Sequence, residues 1–417
     1  MAIPRTIVYH PIWFDVRNWF RTFRLGSITP AEAEARVRDF EGSFSEYYGV
    51  RNTIAFPFAR TALYASLKSQ GFEKGSEVLM PPITIKPMMD VVISLGLKPV
   101  FVDIELETLC FDPARLAEAI TPRTRAALIT YLFGVAPNAE ELTRICRDKG
   151  LFVIEDFSHA LNAEYAGKKL GTFGDVGIYS TGITKTLDTF GGGLAITADP
   201  ELSERLRETQ ASLKPTPPGR LRAKISKNII WNLATRKWAF TLVIFPLIRL
   251  LGRLNTEMAK RMTGARLGLV PDRTLPDSYF EQFTWLQAVA GKAAMPEVES
   301  GDEGRIANVT ALRNVLAKSG NAIGETLPGA RSVYWQFVVF SSQPGRFEQI
   351  MASEGIDTGT SNLSLISGLG IYPEYERACP NAEFVKKYGM YVPINPRLTP
   401  RDLENIRGAL EQALSTQ

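Results

Sequence analysis

From about residue 30 to residue 210 the chain alternates helical and strand patterns, and this alternation restricts the fold more than any other feature. Pro30–Tyr48 is predicted helical: proline sits near its start, apolar and aromatic residues recur at helical spacing, and Gly49 stops it. Arg60–Gln70 follows as a short amphipathic helix, then the apolar run Glu77–Met80 and a Pro-Pro break. Val91–Leu95 ends a second helix at Gly96, and Lys98–Asp103 (KPVFVD) has the composition of a buried strand. Ala126–Tyr131 and Leu151–Glu155 are two more strands, with a helix over Ala139–Lys149 between them. Strand, helix, strand at this pitch predicts an α/β fold with a mostly parallel sheet and helices on its faces. Such sheets bind ligands beyond the carboxyl ends of their strands, and Asp156 sits at one of those ends.

Residues 211–272 break the pattern. Lys214-Pro-Thr-Pro-Pro-Gly219 is a punctuated linker. Ten basic residues lie within Arg220–Arg261 against the single acid Glu257, and they frame the uncharged run Trp238–Ile248. Those eleven residues fall short of the roughly twenty needed to cross a bilayer. Their composition predicts instead that residues 220–266 dock on an anionic membrane surface, with Pro246 favouring two short helical pieces over one span. Mixed α and β patterning resumes after residue 285 and closes with an amphipathic helix over Pro400–Leu414.

The 417 residues are enough for two or three structural units, and 45% hydrophobic with 22% charged content is that of a folded chain. A net charge of +4 gives no indication of a nucleic-acid partner. Cys110, Cys146 and Cys379 are far apart, which argues against a disulfide framework or a zinc site. With His10 and His159 as the only histidines, a multi-histidine metal centre is excluded. A reducing cytoplasm is the expected compartment. The N-terminal MAIPRTIVYHPIWFDVRNWF lacks the charged lead and continuous apolar stretch of a signal peptide.

One segment brings together the groups that pyridoxal phosphate (PLP) chemistry requires. That chemistry needs a lysine to bind the cofactor as a Schiff base, a carboxylate for the pyridine nitrogen, and donors for the phosphate. Asp156, in VIEDFSHA, follows a buried strand, where a carboxylate without a cationic partner is costly. Tyr179-Ser-Thr-Gly-Ile-Thr-Lys185 then leads toward Gly191-Gly-Gly193, which permits close backbone approach to a ligand. Ser180 offers a hydroxyl, and Lys185 would lose its proton if desolvated. Taken alone, the same residues also suit a helix cap, a solvated lysine and an ordinary glycine loop.

Phe40 to about Leu202 and Trp285–Leu414 resemble the DegT/DnrJ/EryC1/StrS family of PLP-dependent sugar aminotransferases. The matching stretches are FEGSFSEYYGV (40–50), KGSEVLMPPIT (74–84), LGLKPVFVDIELETLCFDP (95–113), AITPRTRAALITYLFGVAPNAEEL, VIEDFSHALNAEYAGKKLGTFGDVGIYS, GGGLAITADPEL and PNAEFVKKYGMYVPINPRLT (380–399). The resemblance implies a fold-type I PLP-transferase: a three-layer large domain with a mostly parallel or mixed sheet, plus a smaller α+β C-terminal domain. The implied division is an N-terminal arm at 1–39, a PLP-binding domain at 40–213, the basic and apolar insertion at 214–272, and a small domain at 273–417. Lys185 corresponds to the family's Schiff-base lysine, Asp156 to its pyridinium partner and His159 to the residue beside the ring hydroxyl. Ser180 matches a phosphate-binding serine. Ala59-Arg60-Thr61 replaces a Gly-Thr-Ala at a helix N-terminus suited to a phosphate, where Arg60 would bind it directly.

The implied activity is transfer of an amino group from an amino acid, such as glutamate, to a keto group of a sugar nucleotide or lipid-linked sugar. The resemblance implies a homodimer, and the basic and apolar segment 220–266 adds the expectation of a cytoplasmic protein peripheral to the inner face of the cell membrane. Elimination or decarboxylation on the same cofactor, or a weakened membrane-associated scaffold, are the rival readings. The sequence also departs from the family. A frequent ring-stacking aromatic is replaced around Ile83–Ile85. The family's Asn-Tyr-Arg becomes Phe280-Glu281-Gln282 ahead of Leu286-Gln-Ala-Val-Ala-Gly291, and its His-Tyr-Pro becomes Ser361-Asn362-Leu363.

Overall fold

The computed structural model describes residues 28–247, 274–318, 327–359 and 363–415. Most of the N-terminal arm, residues 248–266 of the membrane-docking expectation, and Ser361 and Asn362 lie outside them.

Seven strands form the central sheet: β1 (Asn52–Phe56), β2 (Glu77–Met80), β3 (Lys98–Phe101), β4 (Thr124–Thr130), β5 (Phe152–Asp156), β6 (Val176–Ser180) and β7 (Gly193–Thr197). Their spatial order is β1-β7-β6-β5-β4-β2-β3. Neighbours from β3 to β6 pair in parallel, whereas β7 is antiparallel to both β6 and β1. The reversal follows from the connections. Residues 181–192 join β6 to β7 as a loop with no crossover helix, so β7 returns along its neighbour. The sheet is mixed, and β2, β3, β4 and β5 lie within about two residues of the limits expected from the sequence, whereas β1, β6 and β7 were not delimited there.

Helix α1 (Pro30–Tyr48) opens with a capping box between Thr29 and Glu32 and ends at Gly49, whose φ of 73° suits glycine. It is one continuous element, so the boundary expected between residues 39 and 40 falls inside a helix. Next come α2 (Ala59–Lys68), α3 (Lys86–Ser94), α4 (Ala139–Arg147), α5 (Pro200–Ala211) and α6 (Pro218–Ala234), and then α7 (Trp285–Ala294) and α8 (Val298–Lys318). Phe283, Ala288, Met295 and Val298 join the core built by Phe40, Phe44 and the sheet. The division expected at 272/273 therefore comes too early: the start of α8 still packs into the large domain. The small domain's own core begins at Val309. It contains β8 (Phe337–Phe340), β9 (Gly389–Val392), α9 (Pro344–Ser353) and α10 (Pro400–Leu414).

The insertion is closed at its base. The backbone N–H of Lys214 donates to Phe280 O at 2.9 Å, and that of Gln282 donates to Lys214 O at 2.7 Å. Phe280-Glu281-Gln282 thus lies against its own chain's linker, and buried Glu281 pairs with Arg220 at 3.3 Å.

Strand β5 ends in two successive carboxylates, which alternation sends to opposite faces. Glu155 is wholly buried and satisfied: it accepts from Tyr131 Oη at 2.5 Å, from Gly171 N at 2.8 Å and from Gly174 N. Burial raises its pKa. Removing the carboxylate in Glu155→Ala orphans two buried donors and one half-buried donor. It is expected to cost at least about 3 kcal/mol of unfolding free energy, measured by denaturant titration.

Candidate active site

The parallel topology brings the C-terminal ends of β5 and β6 to one edge, together with the turn from β1 into α2. Asp156 is the last residue of β5 and Ser180 the last of β6. Asp156 Oδ1 accepts from Ser158 N at 3.0 Å, and Ser158 Oγ accepts from Ser180 N at 2.9 Å, which ties the two strand ends together.

Lys185 lies in the loop that returns β6 to β7. The loop is closed on itself by Thr181 N–H to Gly192 O (3.1 Å), Thr189 N–H to Thr181 O (3.1 Å) and a Thr189–Thr181 hydroxyl bond (2.6 Å). Burial depresses the Lys185 pKa to about 7, and the Asp156 carboxylate opposes that shift. Asp156 is raised by the same desolvation, while Ser158 and Lys185 pull it back. The fold therefore places a half-buried lysine and a buried carboxylate within electrostatic reach.

His159 is buried in an aromatic stack. Its ring lies 3.9 Å from that of Trp335 at 18°, and 6.0 Å from that of Phe133 at 22°. Nδ1 accepts the Phe133 N–H at 3.2 Å, so the proton of the neutral ring sits on Nε2. Trp335 was not singled out in the sequence. It packs over Lys185, whose Nζ is 4.2 Å from its ring centroid, and its Nε1–H donates to Thr184 O at 2.7 Å. Gly134 makes that approach possible. Its φ is +82°, and a Cβ there would lie 2.6 Å from Trp335 N and 2.8 Å from His159 O.

On the other side of the edge, α2 begins at Ala59 with no side-chain cap from Phe58. Gly193 lies so close that a Cβ on it would meet Ala59 N at 2.2 Å. The Arg60 guanidinium carbon sits 4.0 Å from the Phe58 ring centroid and 4.4 Å from that of Tyr279, and its buried Nε has no hydrogen-bond partner. Lys224, on α6 of the insertion, lies 4.9 Å from the same Phe58 ring. Burial lowers both cations' pKa values, and Arg60 further lowers that of Lys224. Among the described residues neither forms an ion pair. Gln287 of α7 donates to Gly191 O and so holds the glycine loop beside them.

The sequence-predicted set thus forms two groups at one sheet edge: Lys185, Asp156 and His159 in the first, Ser180, Ala59 and Arg60 in the second. Trp335, Lys224 and Gln287 join them from distant parts of the chain. Of the substituted positions, Ile83 is buried and pairs with Leu365.

In cofactor-free protein, reaction of Lys185 with an amine-directed reagent should rise with pH about a midpoint near 7, because only the free base is nucleophilic. Asp156→Asn should move that midpoint lower, since it removes the charge that holds the ammonium. A midpoint near that of a solvated lysine, about 10.4, would contradict the burial of Lys185. Peptide-resolved mass spectrometry reads both.

The chain is similar to known proteins in sequence and in fold. Residues 31–220 match the sequence profile of the DegT/DnrJ/EryC1/StrS aminotransferase family. GDP-perosamine synthase of Caulobacter vibrioides is 26% identical over 386 residues, 91% of this chain and 90% of that protein. The spore coat polysaccharide biosynthesis protein SpsC of Bacillus subtilis is 34% identical over 172 residues, 41% of this chain; the match spans 44% of SpsC, less than half its length. The crystal structure of the aminotransferase TlmJ from Streptoalloteichus hindustanus superposes with a TM-score of 0.74 at 20% identity, covering 99% of each chain, so the two share a fold.

Proposed function

We propose that the chain, whose residues 31–220 match the DegT/DnrJ/EryC1/StrS aminotransferase family, is a PLP-dependent aminotransferase of that family. It moves an amino group from an amino acid, such as glutamate, to a keto group on a sugar nucleotide or lipid-linked sugar. The observation that carries this reading is the desolvated Lys185 facing Asp156 at the carboxyl edge of the sheet.

The residues present fit the cofactor. Asp156 would hold the pyridine nitrogen, being a buried carboxylate in need of a cation. Ser180, the uncapped start of α2, Arg60 and Lys224 would hold the phosphate, the last two being cations without ion-pair partners among the described residues. Lys185 would bind the aldehyde. When bound, PLP supplies an electron sink for charge developing at the donor's α-carbon.

The remaining work belongs to the chain. With a pKa near 7, Lys185 is present at neutral pH in both states, so its Nζ attacks as the free base and can also take up or deliver a proton. Asp156 stays ionised when a cation is beside it, because the partner offsets the cost of burial. Trp335 shields Nζ from water, and the Thr181–Thr189 closure keeps the lysine loop in register with β6. His159, fixed between Phe133 and Trp335, presents Nε2–H as a donor. We also propose a homodimer, twofold association being the commonest assembly.

PLP-loaded protein is expected to absorb visible light, and borohydride should fix the label on the Lys185 peptide; a label elsewhere overturns the assignment. Asp156→Ala should keep the label but lose most transaminase activity, at least about a hundredfold, in a coupled glutamate assay. Arg60→Ala and Lys224→Ala should each weaken PLP retention by about 1.5–3 kcal/mol in equilibrium dialysis, and pyridoxal without phosphate should be little affected. Sedimentation should show a dimer; a monomer with full turnover would contradict it.

A further inference from the structure

Among the described residues, nine large apolar side chains are exposed, and seven of them fall between Ile230 and Leu247. Ile230 is 65% exposed, Trp238 64%, Leu242 57% and Val243 54%; Trp231, Leu233 and Leu247 complete the group. Single exposed apolar side chains are ordinary, but a contiguous set marks a contact surface.

The set is held outward by anchors on its other side. The inner face of α6 rests on the large domain, where Ile225 packs with Phe190 and Ala290, flanked by Leu221 and Ile229. Asn228 donates to Asp188 Oδ2 at 2.7 Å. Beyond α6, Lys237 pairs with Asp402 of α10 at 3.0 Å. Phe240 and Phe245 are buried together, with Ala352 of α9 packed against them. With the inner faces satisfied on both domains, Ile230, Trp231, Leu233, Trp238, Leu242 and Val243 face solvent. A helix apolar on both faces is stable only when both are covered.

Charge identifies the cover. Between Pro218 and Leu247 the chain carries Arg220, Arg222, Lys224, Lys227, Arg236 and Lys237 and no acidic residue. Lys227 lies one helical turn from Ile230 and Trp231, on the same exposed face. A second copy docking twofold on this face would bring exposed Arg222 and Lys227, which form no ion pair among the described residues, against their own counterparts. An anionic bilayer supplies both what the apolar side chains and what the cations need. No helix among the described residues is long and apolar enough to cross a membrane, so the contact lies in the plane of the interface.

We propose that the exposed surface formed by α6 and residues 235–247 is a docking site for anionic phospholipid bilayers. Full-length, PLP-treated protein is to be floated with vesicles of phosphatidylcholine alone or mixed with phosphatidylglycerol, at low and high salt. Flotation with the anionic vesicles at low salt is expected, together with a blue shift of tryptophan emission and quenching by brominated lipid. Trp238→Ser with Leu242→Ser should abolish it. Arg222→Gln with Lys227→Gln should lower the partition coefficient roughly thirtyfold, at about 1 kcal/mol per removed charge. Unchanged visible absorbance and circular dichroism establish that the variants are folded. Absence of flotation at low salt, or equal binding to neutral vesicles, overturns the proposal. It is equally overturned if the apolar variant changes only the sedimentation coefficient, which makes the surface a self-association face.

Discussion

A lysine ammonium moved out of water loses its hydration, and at Lys185 the carboxylate that offsets part of this loss belongs to Asp156. Much of the surrounding architecture serves to keep those two groups within reach of one another. The parallel strands deliver Asp156 and Ser180 to one edge. The antiparallel return of β7 forces the intervening segment to fold back as a loop carrying the lysine. The aromatic stack of Phe133, His159 and Trp335 closes one side. Near neutrality, a lysine in this state divides between nucleophile and acid, which is the division that amino-group exchange demands.

The alternating patterns of residues 30–210 made the sheet legible in advance, because apolar strands and helix stops are local signals. Lys185, Asp156, Ser180, His159 and Arg60 were legible largely through resemblance; Asp156 by itself reads as a turn residue. Glu155 beside it carries the same charge and is purely structural, a difference set by which face each side chain takes. Trp335 was invisible, since it reaches the lysine across 150 positions with no periodic or motif signal. Lys224 was hidden for the opposite reason: it stands among so many other basic residues that composition alone suggested solvent. Packing across the expected limits was not legible: α1 runs through 39/40, and α7, beyond 272/273, joins the core of the large domain.

Positive backbone dihedrals mark how tightly the site is held. Phe133, at a φ of 58°, and Gly134, at 82°, are consecutive, and together they turn the chain so that His159 and the Trp335 segment meet. Phe190, at 61°, precedes Gly191 in the lysine loop, where its side chain reaches the inner face of α6. Non-glycine residues in this region carry strain that surrounding packing must support. Here the support comes from the small domain for Phe133 and from the insertion for Phe190.

The hydrogen bond between Asn228 and Asp188 makes the insertion something other than a detachable appendage. Asp188 is three residues from Lys185 and is buried enough that its pKa rises to about 6. Excising 214–282 and splicing the ends would strip that carboxylate of its amide donor, uncover Phe190 and Ala290, and take Lys224 from beside Arg60. The segment and the lysine loop are accordingly one structural unit, so that a change in the one is felt in the other.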